Sequence, residues 1–183
     1  MPKPANERLV ASVLDEYLVV QSQLGNAEAF GCLVRRWQPR LLRQAYCFTR
    51  HREAARDVAQ ESWIAIMAGL RSLREPARFP AWAFRIVANK GRDWVRREQA
   101  RRRVARRVEV EPARETGPPA GLLARVRQAL GELAPEQHGI LTWFYLEEMS
   151  LAEIAEALEV PVGTVKSRLF YARNALRARL KEP

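Results

Sequence analysis

Hydrophobic residues recur at helical spacing along most of the chain, and no stretch alternates as a half-buried strand does. In the first half, small or apolar residues follow one another at intervals that place them on one side of a helix. One such series is Phe30, Leu33, Val34, Trp37 and Leu41, and a second is Val58, Ser62, Ala65 and Ile66. We therefore predict an all-α protein.

The C-terminal third shows the pattern of a helix-turn-helix. Ser150 followed by Glu153 forms a capping box, which predicts that a short helix begins at Ser150. This helix is expected to end near Val160 and Pro161. A second helix follows, because apolar residues then return at intervals of three and four, at Val165, Leu169, Ala172, Leu176 and Leu180.

A linker separates this part from the rest of the chain. Val108 to Gly121 contains three prolines and no amphipathic period. We predict an N-terminal helical domain over residues 1–107, a flexible linker over residues 108–121 and a C-terminal helical domain over residues 122–183. Both parts are long enough to fold as small helical domains.

Charge is unevenly distributed between the two C-terminal helices. The chain has 31 Lys and Arg against 21 Asp and Glu, a net charge of +10. From Gln128 to Val165 there are seven acidic residues and no basic one, whereas Lys166 to Lys181 holds six basic residues and no acidic one. One face of the second helix carries Lys166, Phe170, Arg173 and Arg177. A solvated basic surface would also explain this face, but the preceding turn and acidic helix favour DNA binding.

Two polar features stand out in the N-terminal domain. Asp57, Gln60 and Glu61 lie on one side of a helix whose other side carries Val58, Trp63, Ile66 and Met67. Further on, residues 78–97 interleave aromatic side chains with arginines. Flat rings and cations together suit single-stranded nucleic acid, because they stack with unpaired bases and neutralise the backbone.

The residues needed for catalysis or metal binding are not grouped in the sequence. No nucleophile lies in a pattern with a base and an orienting group, no phosphate-binding loop occurs, and neither His51 nor His138 has a second ligand at metal-binding spacing. We expect no enzymatic activity, no metal and no cofactor. Two separate cysteines and the lack of a long apolar run predict a cytoplasmic protein without membrane insertion.

Four segments in a fixed order carry a resemblance to a known family. They are Gly25 to Phe30, Ala55 to Glu61, Phe79 to Asn89 and Val160 to Arg168. In this order they resemble the extracytoplasmic-function (ECF) group of bacterial RNA polymerase sigma factors. The resemblance implies two helical domains joined by a flexible linker, in a factor that binds core RNA polymerase and directs it to specific promoters. An anti-sigma factor is a further partner that the resemblance implies.

The resemblance also assigns roles to residues by position. Asp57, Gln60 and Glu61 match the helix that binds the polymerase clamp. The residues matched to the minus-ten promoter element include the ends of a loop that captures a flipped base, and they are Leu73, Phe79, Arg85, Asn89, Lys90, Arg92, Arg96 and Arg97. Those matched to the minus-thirty-five element, whose bases or phosphates they contact, are Thr164, Lys166, Ser167, Arg168, Phe170, Tyr171 and Arg173.

Two positions depart from the common pattern of the ECF group, and two other functions stay open. Asn26 stands where many members carry Asp, and Tyr171 stands where many members carry a basic residue. Arg85 and Ile86 stand where housekeeping sigma factors carry an aromatic pair, as is usual in the ECF group, which predicts weaker DNA melting. A stand-alone helix-turn-helix regulator that binds duplex DNA as a dimer would explain the C-terminal domain, and a structural RNA-binding protein would explain the charge.

Overall fold

The computed structural model describes residues 5–105 and 121–181, and all regular elements within these ranges are helical. The N-terminal domain comprises α1 (Ala5–Gln23), α2 (Ala27–Thr49), α3 (Arg52–Gly69) and α4 (Phe79–Ala105), with two 3₁₀ turns at Leu70–Ser72 and Pro76–Arg78. The C-terminal domain comprises α5 (Leu122–Glu132), α6 (Pro135–Tyr145), α7 (Leu151–Leu158) and α8 (Val162–Lys181). The prediction of two all-α domains is confirmed, and most of the predicted linker lies outside the described residues.

Helix α2 is the centre of the N-terminal domain. Its apolar stripe is buried at Leu33, Trp37 and Leu41, as its spacing predicts, and packs against α3 and α4. Gly91 permits the close approach of α4 to α2, because a Cβ atom there would come within 2.5 Å of the Phe48 ring.

Asn26 caps the start of α2. Its side-chain oxygen accepts hydrogen bonds of 3.0 Å from the backbone N–H groups of Glu28 and Ala29. The first N–H groups of a helix have no partner within the helix, so this side chain satisfies two of them. Asn26 therefore performs at this position the capping that Asp would perform.

The C-terminal helices begin and pack as their pattern predicts. Ser150 Oγ accepts from the Glu153 N–H, and the Glu153 carboxylate accepts from the Ser150 N–H at 2.7 Å, so the capping box is confirmed. The apolar side of α8 is buried at Val165, Leu169 and Ala172. Within residues 5–105 and 121–181, no helix is long and apolar enough to cross a membrane.

The two domains pack against each other, with α6 on α2 and α7 on α4. The Phe84 and Trp143 rings, one from each domain, lie 5.8 Å apart between centroids. The buried residues of both domains form one continuous hydrophobic cluster. The sequence could not determine this arrangement, because the predicted linker allowed the domains to pack or to separate.

Replacing Asn26 should test the cap of α2. Asn26→Ala removes the acceptor for two N–H groups and should lower the free energy of unfolding by about 0.5–2 kcal/mol. Urea denaturation followed by circular dichroism measures this change. Asn26→Asp, which keeps the acceptor, should unfold near the wild-type midpoint. Equal midpoints for the Ala and Asp variants would show that the cap contributes nothing.

Candidate nucleic-acid and protein interfaces

The polar strip on α3 lies at the surface. Asp57 and Gln60 are exposed, and Glu61 is half-buried with Lys90 Nζ and Arg97 Nη2 each 3.6 Å from its carboxylate. The strip is a mixed-charge surface at its Glu61 end, because α4 supplies these two cations.

Two apolar side chains extend this strip. Ile64 and Met67 are 56% and 60% exposed. The sequence pattern placed Met67 with Ile66 on the side of the helix opposite Asp57, but Ile66 is buried whereas Met67 is exposed. In the sequence, Ile64 and Met67 follow Glu61 at intervals of three residues. This helical spacing was the signal that they extend the strip. Exposed apolar side chains beside polar ones are typical of a surface that binds another protein.

Helix α4 carries most of the residues predicted for the minus-ten element. Asn89 is exposed, and its Oδ1 accepts a 2.6 Å hydrogen bond from Arg92 Nη1, so its amide N–H₂ group is unused within the described residues. Arg96 pairs with Asp93 one turn earlier. Arg85 pairs instead with Glu159, the residue that follows α7, at 2.5 Å.

The loop before α4 is held in place from both sides. Gln23 Nε2 donates to the carbonyls of Leu70 and Leu73, at 2.9 and 2.7 Å. Phe79 is fully buried and packs edge-on against Trp37, with 5.1 Å between ring centroids. This burial corrects the prediction that Phe79 contacts DNA: its ring anchors the loop in the core. Sequence reasoning missed Gln23, because nothing in its local pattern indicates a partner about fifty residues away.

A cavity of about 600 Å³ opens beside this loop. Trp82 and Arg85 of α4 line it, together with Glu156 of α7 and Glu159, the residue that follows α7. The other lining residues are Ser72, Leu73, Arg74, Glu75, Arg78 and Ala81. The cavity is large enough for a nucleobase, and it has both an aromatic and a cationic wall.

Helix α8 presents the residues predicted for the minus-thirty-five element. Lys166, Ser167, Arg168, Phe170 and Tyr171 are all exposed, and Thr164 is half-buried. The rings of Phe170 and Tyr171 meet edge to face at 5.7 Å. The guanidinium of Arg173 lies 5.3 Å from the centroid of the Phe144 ring on α6, which is a cation–π contact, and the residue stays exposed.

Burial perturbs titratable groups where the domains meet. It raises the pKa of the Cys47 thiol, whose Sγ lies 3.4 Å from Thr142 Oγ1, so the thiolate form is disfavoured. Burial, with a contribution from Arg50, lowers the pKa of His138 to about 4. Neutral His138 can then accept through Nδ1 from Arg50 Nη1 at 2.6 Å. No cluster of His, Cys, Asp or Glu in residues 5–105 and 121–181 could hold a metal ion.

Comparison with protein-family models identifies both domains. The model for sigma-70 region 2 matches residues 33–108, and the model for sigma-70 region 4 matches residues 123–176. These ranges contain all of α4 and the part of α8 up to Leu176, the helices with the candidate DNA-facing residues.

Individual proteins match over nearly the whole chain. The RNA polymerase sigma-H factor of Pseudomonas aeruginosa is 30% identical over 177 residues, which cover 88% of this chain and 91% of that protein. The ECF RNA polymerase sigma factor SigW of Bacillus subtilis is 25% identical over 182 residues, covering 90% and 95%. A solved structure of CnrH in complex with the cytosolic domain of CnrY has a TM-score of 0.69 at 32% identity and covers 91% of this chain and 97% of CnrH.

Proposed function

The chain belongs to the ECF group of the sigma-70 family, and on this basis we propose that it binds core RNA polymerase and directs it to specific promoters. The observation that supports the proposal is the presence, in one chain, of two helices with exposed polar and basic side chains, α4 and α8, in domains that match sigma regions 2 and 4. A stand-alone regulator would need only the C-terminal domain for DNA reading.

The strip on α3 is the proposed polymerase-binding surface. Asp57 and Gln60 supply exposed polar groups, and the neighbouring Ile64 and Met67 supply apolar area that a partner protein can bury. This combination of an apolar centre and a polar rim is typical of protein–protein interfaces.

Helix α4 and the loop before it form the proposed minus-ten surface. The loop cavity next to Trp82 can receive an unpaired base, and the arginines around it can neutralise phosphates. Leu73 lines this cavity. The side-chain oxygen of Asn89 accepts a hydrogen bond from Arg92, and its amide N–H₂ group can donate to a base edge.

Helix α8 is the proposed minus-thirty-five reader. Lys166 and Ser167 near its start supply polar groups for base edges, and the exposed Phe170 supplies apolar contact of the kind a thymine methyl group accepts. Arg173 and Arg177 lie farther along the same face and suit phosphate contacts.

We extend two further expectations to this protein. CnrH, which is similar over 91% of this chain, has been solved with the cytosolic domain of CnrY bound, and an anti-sigma factor is accordingly a proposed partner here. A polymerase-binding factor acts in the cytoplasm, where the bacterial polymerase works. Transcription in vitro with core polymerase and a pool of genomic promoter fragments tests the function. Tight, dimeric, sequence-specific binding to duplex DNA without polymerase would instead favour the regulator.

Charge reversal should test the polymerase-binding strip. Asp57→Lys should weaken binding to core polymerase at least about tenfold. The new lysine would repel the polymerase cation that is expected to pair with the Asp57 carboxylate. Pull-down with core enzyme measures the loss, and circular dichroism should show unchanged helix content. Glu16→Lys on α1 makes the same charge change on another helix and should bind normally. If both variants bind equally well, the docking surface lies elsewhere.

Substitution of Asn89 should test base reading at the minus-ten element. Asn89→Ala should cost about 1–3 kcal/mol of discrimination between promoters that differ in this element, because the methyl group cannot hydrogen-bond to a base. Transcription from a matched set of minus-ten variants measures it. A uniform loss across the set would show that Asn89 does not read sequence.

Substitutions along α8 should separate base reading from phosphate binding. Lys166→Ala or Phe170→Ala should change which upstream sequence is preferred. Arg177→Ala should weaken all sequences alike and reduce the slope of log affinity against log salt by about one. Holoenzyme binding to a library of upstream sequences, measured at several salt concentrations, distinguishes the two effects. A changed sequence preference in the Arg177 variant would contradict the assignment.

A further inference from the structure

We propose that α1 pairs with α1 of a second copy of this chain, through a seam of apolar residues on its outer side. The seam consists of Val10, Val13, Tyr17, Val20 and Leu24. This surface goes beyond the proposed function, because it includes no residue of the strip on α3 and none of the DNA-facing helices α4 and α8.

The inner side of α1 is occupied by its own domain. Leu18 and Val19 are buried where α1 packs against α2. The Asp15 carboxylate accepts a hydrogen bond of 2.7 Å from Arg36 Nε on α2. These contacts fix the rotation of α1 about its axis, and they thereby decide which residues face outwards.

The outer side of α1 is apolar as well. The five seam residues are between 38% and 76% exposed. With 3.6 residues per turn, they lie on the side of the helix opposite Leu18 and Val19. A helix that is apolar on both sides is typical of one that is covered on both sides. The outer side is therefore expected to bind a partner.

The spacing of the seam indicates the kind of partner. Its residues follow one another at intervals of three, four, three and four, which is the a and d pattern of a coiled coil. Over two heptads a straight helix departs from this pattern by only about 40°. The seam consequently faces one direction along its length, and it fits a second helix that lies along α1.

The residues beside the seam favour a second copy in parallel orientation. In a parallel pair, position g of one helix lies near position e of the other. Leu9 would then lie near Leu14 of the other copy, so that apolar side chains meet. Glu16 would lie near Gln21, so that no like charges meet. A two-fold axis would place each uncharged seam residue opposite itself, which makes the surface self-complementary.

The charge of α1 argues against a lipid surface as the occupant. Helices that lie on membranes carry Lys and Arg on the side opposite their apolar face. Helix α1 has three acidic residues and one basic residue, and the side opposite its seam is packed on α2. A protein helix therefore fits the seam better than lipid.

The pair is expected to be weak but specific. Two heptads are too short to form a stable helix alone, because nucleating a helix is costly. Helix α1 is already ordered by α2, so association does not bear this cost. Tyr17, at the centre of the seam, is the expected anchor. The seam is smaller than a standard interface, so we expect a dissociation constant in the micromolar range.

A charge at Tyr17 tests the pair. Sedimentation equilibrium of the full chain should show monomer and dimer in a concentration-dependent equilibrium. Tyr17→Glu places two carboxylates opposite each other and should raise the dissociation constant of the dimer at least about tenfold. Leu123→Glu introduces the same charge at an exposed leucine of α5, and it should dimerise like the wild type. Circular dichroism should show equal helix content in all three proteins.

Mixing opposite charges tests the register. Tyr17→Lys should also be monomeric alone, but an equal mixture with Tyr17→Glu should form a heterodimer, because position 17 meets position 17 in a parallel pair. A mixture that stays monomeric would overturn this pairing. Neither polymerase nor DNA is present, so the outcome is independent of the proposed function. The pair also uses no residue of α8, unlike the DNA-bound dimer of a stand-alone regulator.

A disulfide provides a measurement that needs no charged variant. In a Cys32→Ser background, Val13→Cys should be oxidised by diamide to a disulfide between two copies, seen as a dimer on a non-reducing gel. Ser12→Cys is the matched control, since Ser12 is exposed but lies outside the seam. It should stay mainly monomeric, and the buried Cys47 is present in both variants. Equal cross-linking of the two variants would contradict the seam.

A wild-type protein that remains monomeric up to about 100 μM would overturn the pairing with a second copy. The seam would then be assigned to another partner by a binding assay with core polymerase and with phosphatidylglycerol vesicles. Binding that the wild type shows and Tyr17→Glu loses would identify that partner.

Discussion

A chain of aromatic contacts joins the parts of this protein. Phe79, at the end of the loop before α4, packs on Trp37 of α2, and Trp37 packs on Phe84 of α4. Phe84 in turn packs on Trp143 of the C-terminal domain. Aromatic side chains bury large areas and have preferred relative orientations, so this cluster sets how the loop, α4 and α6 lie relative to α2. The rest of the structure depends on this placement.

Charge separation has two consequences here. The acidic α7 and basic α8 are neighbours in one small domain. The cations of α8 face solvent on the side proposed to read DNA, while Glu156 of α7 and Glu159 after it pair with arginines of the other domain. A uniformly basic C-terminal domain could not pack on the basic N-terminal surface without repulsion, so the acidic residues contribute to the packing of the two domains.

The proposed polymerase strip and DNA surfaces meet at one residue. Glu61 belongs to the strip on α3, yet its carboxylate lies 3.6 Å from Lys90 and from Arg97, both predicted to face promoter DNA. An interface that engages Glu61 changes the electrostatic surroundings of those cations. The proposed polymerase-binding and minus-ten surfaces are thus adjacent on α3 and α4.

Local patterns in the sequence determined the helices, the Ser150 cap and the exposed reading face of α8, because spacing, capping and charge act within one or two turns. The buried stripe at Leu33 and Trp37 followed from the same periodicity. Tertiary structure alone decided the burial of Phe79, the exposure of Met67 and the anchoring of the loop by Gln23. It also decided the packing of the two domains on each other. These features depend on which distant side chains meet, and helical periodicity contains no information about such partners.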